Sequence, residues 1–357
     1  MKYFENVDKL LFYKEPQNFN KYSKRELLQY AIGANMYMPG TKNDIFEKLI
    51  GNAFREVGAI TLCLEDAISE EEVPIAEQNI LCLLEELFEK YKENGEELFN
   101  RLPLIFIRVR TPEQFASFSR LLTKKYLNMI CGFNFPKFNS KNGRDYFKIL
   151  KELSQEHNEI LYGMPILEDC QLMHQETRIN ELYQILNILT EYDPYVLNIR
   201  VGGTDFSSMF GLRRSVNNTI YDVRVISDCL IDIVNFFLRE GHRYVVSGPV
   251  WEYFSYDETS PEIQGLVHEL QLDIENGFQG KTIIHPSQIN PVNKQYIVNY
   301  HEYQDAISIL NSRGGVSKGS EGNRMNEVSP HKNWARKIVA RANVFGVLEQ
   351  NTAREKL

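Results

Sequence analysis

The sequence predicts an α/β fold, a (β/α)8 TIM barrel with a C-terminal helical extension. Two observations predict it. Eight short β-like runs each precede a longer stretch of helical pattern, the alternation that marks βαβ units and a parallel sheet. The charged residues of those runs gather at one end, the C-terminal end, where barrels of this kind carry their active sites. A doubly wound open sheet is the main competitor, but the glycine-rich first turn usual to it is missing.

The first run is "AIGANMYMPG" (31–40), closing on proline and glycine. The second, "AITLCLEDAI" (59–68), ends in Glu65-Asp66 and leads into the amphipathic "VPIAEQNILCLLEELFEKYKENG". "LPLIFIRVR" (102–110) ends in Arg108 and Arg110, and "NMICGFNFPKF" (128–138) in Pro136-Lys137, followed by the helical "DYFKILKELSQEH". The fifth run, "EILYGMPILED" (159–169), ends in Glu168-Asp169. The sixth, "YVLNIRVGGTD" (195–205), breaks into Gly202-Gly203 before Asp205. "RVISDCLIDIVNFFLREG" then reads as a helix whose closing glycine suits a helix stop. "YVVSGPVW" (244–251) and "KTIIHPS" (281–287), the latter carrying His285, complete the eight.

These runs place the barrel domain over 1–295 and a helical extension over 296–357. In the tail, "NKQYIVNYHEYQDAISILNSR" and "HKNWARKIVARANVFGVLEQ" each read as one helix. Between them "GGVSKGSEGN" (314–323) reads as a flexible Gly/Ser linker or lid.

The 357 residues leave room for one large α/β domain with additions, and 43% hydrophobic with 25% charged residues is ordinary globular composition. A net charge of −8 argues against nucleic acid as the partner, because phosphate binding needs clustered positive charge. The five cysteines are scattered, with no CxxC, so reduced thiols and a cytoplasmic location are expected. The N-terminus lacks a secretory apolar core, and no run approaches a membrane span.

Glu168 and Asp205 close neighbouring runs, so both should face one mouth. Two carboxylates without histidine or cysteine partners suit a hard divalent cation, Mg²⁺ or Mn²⁺; an arginine–carboxylate network without metal is the alternative. Gly202 and Gly203 would let a substrate lie against the backbone, or serve only a strand-to-loop turn capped by Asp205. Arg108 could grip a substrate oxyanion through its planar fork or pair with Glu65 or Asp66. Lys137 is a second positive group or a solvated loop lysine, and His285 a general acid–base or a cap. Arg213 and Arg214 stand where an anionic tail would be held, or form surface salt bridges.

At these residues the sequence resembles the citrate lyase β-subunit / malyl-coenzyme A lyase superfamily, the HpcH/HpaI-type aldolases. The matching elements are "MPG" (38–40), "LEDAI" (64–68), "IRV" (107–109), "PK" (136–137), "GGTDFSSMFG" (202–211) and "GFQGKTIIHPSQINPVN" (277–293). "NIRVGGTDFSSMFGLRRSVNNTIYD" with "YVVSGPVWEYF" is similar to one branch, the TIM-barrel C–C bond lyases associated with tellurite-resistance gene clusters. The resemblance implies an enzyme that cleaves or forms a carbon–carbon bond beside a carbonyl through a metal-held enolate. It implies Glu168 and Asp205 as Mg²⁺ ligands, Arg108 as the carbonyl arginine and Glu65-Asp66 as the acidic pair. Its substrate would be a small anionic hydroxy or keto acid or an acyl thioester of coenzyme A, and its assembly a homo-oligomer, trimer or hexamer.

Three positions depart from the family pattern: Asp169 stands where threonine is usual, and Arg110 where asparagine is usual. In "RMNEVSPHKNWA", Glu327 stands near the place of an aspartate that reaches a neighbouring subunit's site. The candidate proton-transfer groups are therefore Glu327 and the Glu65–Asp66 pair. Two other readings stay open: a phosphoenolpyruvate- or pyruvate-handling barrel without a thioester, favoured by Arg110, Arg213 and Arg214, and a non-catalytic subunit of a biosynthetic complex.

Overall fold

Continuous apolar runs become staves here because both faces of a barrel strand are covered, by the barrel interior on one side and by helices on the other. A computed structural model describes residues 1–357 except 52, 240, 242, 243, 351 and 355–357. The staves are Ala34–Pro39, Ala59–Cys63, Leu104–Arg108, Gly132–Phe135, Tyr162–Leu167, Arg200–Val201 and Lys281–Ile283. They form one parallel sheet in the order sixth, fifth, fourth, third, second, first, eighth. The seventh stave is reduced to parallel bridges, Ile199 to Val246 and Gly248 to Lys281, which close the ring. It is short for a local reason. Pro249 has no N–H to donate, and a side chain at Gly248 would strike the Asp273 carboxylate.

The covering helices obey their end signals. Val73–Asn94 starts with a proline in its first turn and stops at Gly95, φ 60°, the left-handed backbone that glycine tolerates. Gly143–His157 follows the fourth stave, and Arg224–Phe237 stops short of Gly241. Tyr146 stacks on Phe135 with ring centroids 4.7 Å apart, one of the aromatic contacts that lock helix to stave.

The tail differs from its sequence reading. The expected single helix over 293–313 is two, Ile289–Gln295 and Tyr300–Asn311. Asn299 starts the second by accepting a hydrogen bond from the His301 N–H at 2.8 Å, and Val298 bridges Val347 instead of continuing a helix. The 314–323 stretch is organised as the first strand and turn of a hairpin, Val316–Lys318 against Met325–Glu327. Val328–Phe345 follows, ends at Gly346 (φ 80°), and leads to Val347–Leu348. That last pair runs antiparallel to Phe12–Lys14, tying the two ends of the chain together.

The last helix packs on Arg25–Ala31, the helix that precedes the first stave. With Tyr30, Tyr244, Val245 and Gln279 it encloses a cavity of about 500 Å³. The extension therefore lies under the N-terminal end of the barrel, away from the mouth. Among the described residues no helix is long and apolar enough to cross a membrane.

Candidate active site

Strand register delivers the charged side chains to one rim. Cys63 pairs with Arg108 and Arg108 with Asn134, so the residues just beyond these pairs leave the barrel at similar heights. Arg108 ends its stave and points inward, with its Nη2 2.5 Å from Glu65, 3.0 Å from Asp66 and 3.0 Å from Glu168. Lys137 adopts left-handed backbone, φ 47°. That turn aims its N–H at Glu168 Oε1, 3.0 Å away, and its ammonium at Glu65 and Asp66.

Glu168, 3% exposed, is held on one side only. Oε1 accepts from Arg108 and from the Lys137 backbone. Oε2 lies against Gly202, where a Cβ would come within 2.4 Å of it. The glycine that the sequence reserved for substrate thus makes room for Glu168. Gly203 likewise accommodates Pro249, 2.8 Å from where its Cβ would be. Asp205 sits in the first turn of the short helix Gly203–Ser208, close enough to Glu168 for each carboxyl to shift the other's titration.

Burial pushes the Glu168 carboxyl up to about 7, with the Asp205 charge adding and Arg108 opposing. Asp205 is also raised, by burial and then by the Asp66 charge. Glu65 is raised by burial. Burial pushes Asp66 the same way, but its hydrogen bond with Glu65 and the charges of Arg108 and Lys137 outweigh that and hold it below the usual carboxylate range. For Arg108, the Glu168 and Glu65 carboxylates overcome burial and keep the guanidinium charged.

Four carboxylates, Glu65, Asp66, Glu168 and Asp205, thus face two cationic groups, Arg108 and Lys137. Oxygens of Glu65, Asp66 and Glu168 lie within 4.8 Å of one another, but Arg108 already contacts all three. Glu168 Oε2 and the Asp205 carboxylate are the acid oxygens without an ion-pair contact among the described residues. Such hard oxygen donors fit a divalent cation.

Other expected site residues stand apart. Arg214 is buried in an ion pair with Glu269 at 2.7 Å and lies over Trp251, so it holds the fold and not a ligand. Arg213, 77% exposed, reaches Glu252 at 3.6 Å. Arg110 donates to the Ile68 carbonyl at 3.1 Å and anchors the loop that carries Glu65 and Asp66. His285 caps Pro286–Gln288 through Nδ1 and stacks on Phe254. Asp169 caps Cys170–Met173, accepting from the Gln171 N–H at 2.9 Å. Glu327, its backbone N–H on His331 Nδ1, belongs to the hairpin at the opposite end of the barrel. Within one chain it does not meet Arg108. Sequence reading passed over Arg200, Tyr37 and Asn134, which lie beneath the rim. A charged residue two positions before Gly202, and so on the same strand face, was the available signal for Arg200.

A closed eight-stave barrel whose mouth carries an arginine, a lysine and four acids defines a barrel enzyme of charged small-molecule chemistry. The chain belongs to the C–C bond lyase family of the TIM-barrel fold, whose model matches residues 26–347; it is a carbon–carbon lyase. No curated protein sequence matches it. Among solved structures it is similar to CitE of Mycobacterium tuberculosis in complex with magnesium, acetoacetate and coenzyme A. The identity is 19% over 88% of this chain and 99% of that one, TM-score 0.55. It is also similar to Haloferax volcanii malate synthase in a pyruvate/acetyl-CoA ternary complex, at 13% identity over 74% and 69% of the chains, TM-score 0.54. At these identities the likeness is one of fold.

Proposed function

We propose that this lyase is Mg²⁺-dependent and acts through an enolate on a small anionic hydroxy or keto acid or its acyl thioester. The observation that carries the reading is the charge imbalance at the mouth, where Glu65, Asp66, Glu168 and Asp205 face only Arg108 and Lys137 at the rim. Glu168 and Asp205 would hold the ion, Mn²⁺ serving as an alternative, and the ion would supply positive charge to a carbonyl oxygen as it becomes an enolate. Arg108 adds a fixed cation at the same place, its orientation set by three carboxylates. Asp66, half-exposed and held ionised, is placed to take the hydroxyl proton in the cleavage direction. Glu327 could enter only from another copy of the chain in a homo-oligomer. The magnesium, acetoacetate and coenzyme A in the CitE complex support this substrate class. Of Arg110, Arg213 and Arg214, the three residues that favour a phosphorylated substrate, Arg214 is taken up by its buried ion pair with Glu269.

Enolate formation is testable without the natural substrate. Proton NMR in D₂O should show Mg²⁺-dependent exchange of the methyl protons of pyruvate or of acetyl-coenzyme A, stopped by EDTA. No exchange with either compound would overturn the enolate reading.

A further inference from the structure

Arg200 is 1% exposed, and two of its three guanidinium nitrogens, Nε and Nη1, have no partner. The third, Nη2, donates to Thr282 Oγ1 at 2.5 Å. Among the described residues no carboxylate pairs with it. A buried arginine is ordinarily matched by an acid, because an unpaired charge away from water is costly. This chain meets that rule at Arg214 and Arg178, each with a carboxylate within 3 Å.

Register locates the exception. Inward-facing side chains of a barrel stack in layers drawn from alternate staves. Thr61, Asn134, Arg200 and Thr282 come from the second, fourth, sixth and eighth staves and make one polar layer. Tyr37 and Arg108, from odd staves, stand one layer nearer the mouth. The contacts agree: Asn134 donates to Thr61 Oγ1 at 3.2 Å and to the Tyr37 hydroxyl at 2.7 Å, and the Arg200 guanidinium lies 5.7 Å from the Tyr37 ring centroid. With its oxygen accepting from Asn134, the Tyr37 hydroxyl keeps its own hydrogen to donate. Tyr37 and Thr282, the two side chains that contact the Arg200 guanidinium, are both part-exposed.

We propose that Arg200 is a specificity-determining residue that receives a second carboxylate of the substrate at the floor of the mouth, with the Tyr37 hydroxyl and Thr282 beside it. The inference rests on the lyase reading above and narrows the substrate class to dicarboxylic acids. One carboxyl and its neighbouring oxygen would stay at the Glu168–Asp205 rim. The other would enter between Tyr37 and Thr282 and take the free Nε and Nη1 donors. Arginine suits this place because its fork offers paired donors to a carboxylate.

L-malate and L-lactate share a 2-hydroxycarboxylate and differ in the second carboxylate. Calorimetric titration of each into Mg²⁺-saturated protein should show malate binding at least about tenfold more tightly, the scale of a charge-assisted hydrogen bond. Arg200→Met should bind the two acids equally, and its ligand-free form should melt no lower than the wild type, because an unneutralised buried charge has gone. If Arg200→Met does not fold, Arg200→Lys, which keeps the charge but loses the fork, should show a reduced preference. A wild type that does not prefer malate, or a variant that keeps the full preference, overturns the proposal. Mg²⁺ titrated alone separates the two claims. A normal Mg²⁺ isotherm without malate preference removes the Arg200 subsite only. A malate preference in Mg²⁺-free buffer with no Mg²⁺ isotherm removes the ion and leaves Arg200 standing.

Discussion

Two charged clusters in this molecule look alike in composition and differ in balance. Beside the eighth stave, Lys281 contacts Glu269 at 3.0 Å and Asp273 at 2.6 Å, and Arg214 contacts Glu269 at 2.7 Å. Lys281, Glu269 and Asp273 are fully buried, and the Tyr221 hydroxyl and Ile220 N–H satisfy remaining acceptor positions. Arg214 also reaches Glu252 at 3.7 Å, which Arg213 meets at 3.6 Å, so three acids meet three bases, and the part around Lys281 is sealed. At the mouth, four acids meet two bases, and Asp66 and Lys137 reach solvent. The difference teaches how to tell a structural ion network from a site: the first is neutral and closed, while the second carries a deficit that something from outside must fill.

The largest effect should come from breaking the sealed cluster. Lys281→Met leaves Glu269 and Asp273 without their shared cation and should cost about 3–5 kcal/mol, read as a large fall in denaturation midpoint. An unchanged midpoint would mean the cluster is not a unit. Next, Arg108→Lys keeps a charge at the mouth but loses the guanidinium Nη2 that touches three carboxylates. Enolate exchange should fall on the order of 10²–10³-fold with the fold intact. Full activity in that variant would make Arg108 a purely structural partner of the acids.

The two clusters also show where sequence reading works. Glu65, Asp66, Arg108, Lys137, Glu168 and Asp205 were legible because each closes a run, and strand ends in a barrel share a rim whatever the intervening helices do. Arg214 was not, because its partner Glu269 lies 55 residues further on and no local spacing betrays such a pairing. The seventh stave was legible as an extended run but not as a pair of bridges. The helix over 293–313 was read as continuous because the Asn299 cap looks like any polar residue on a helix face. Arg200 went unseen inside an apolar run, where a strand pattern gives no hint of which charges go unmatched.

Smaller effects sharpen the contrast. Without divalent metal, the raised Glu168 carboxyl binds a proton more readily in the folded than in the unfolded chain. Stability should therefore decline as pH rises from the ordinary glutamate range through about 7, and Glu168→Gln should flatten that decline. A denaturation series across that range checks it; stability rising over the same interval would contradict the assignment. Smallest of all, Asp169→Ala removes a helix cap and the hydrogen bond accepted from Asn139 Nδ2 at 3.1 Å and should cost about 1 kcal/mol with Mg²⁺ affinity unchanged. A loss of Mg²⁺ binding in that variant would move Asp169 from the cap into the ion site.

The most direct measurement is calorimetric titration of Mg²⁺ into the wild type, Glu168→Gln and Asp205→Asn. One ion per chain should bind the wild type with release of a proton, and neither variant should bind although both remain folded. Equal Mg²⁺ affinity in all three proteins would contradict the claim that these two side chains hold the metal.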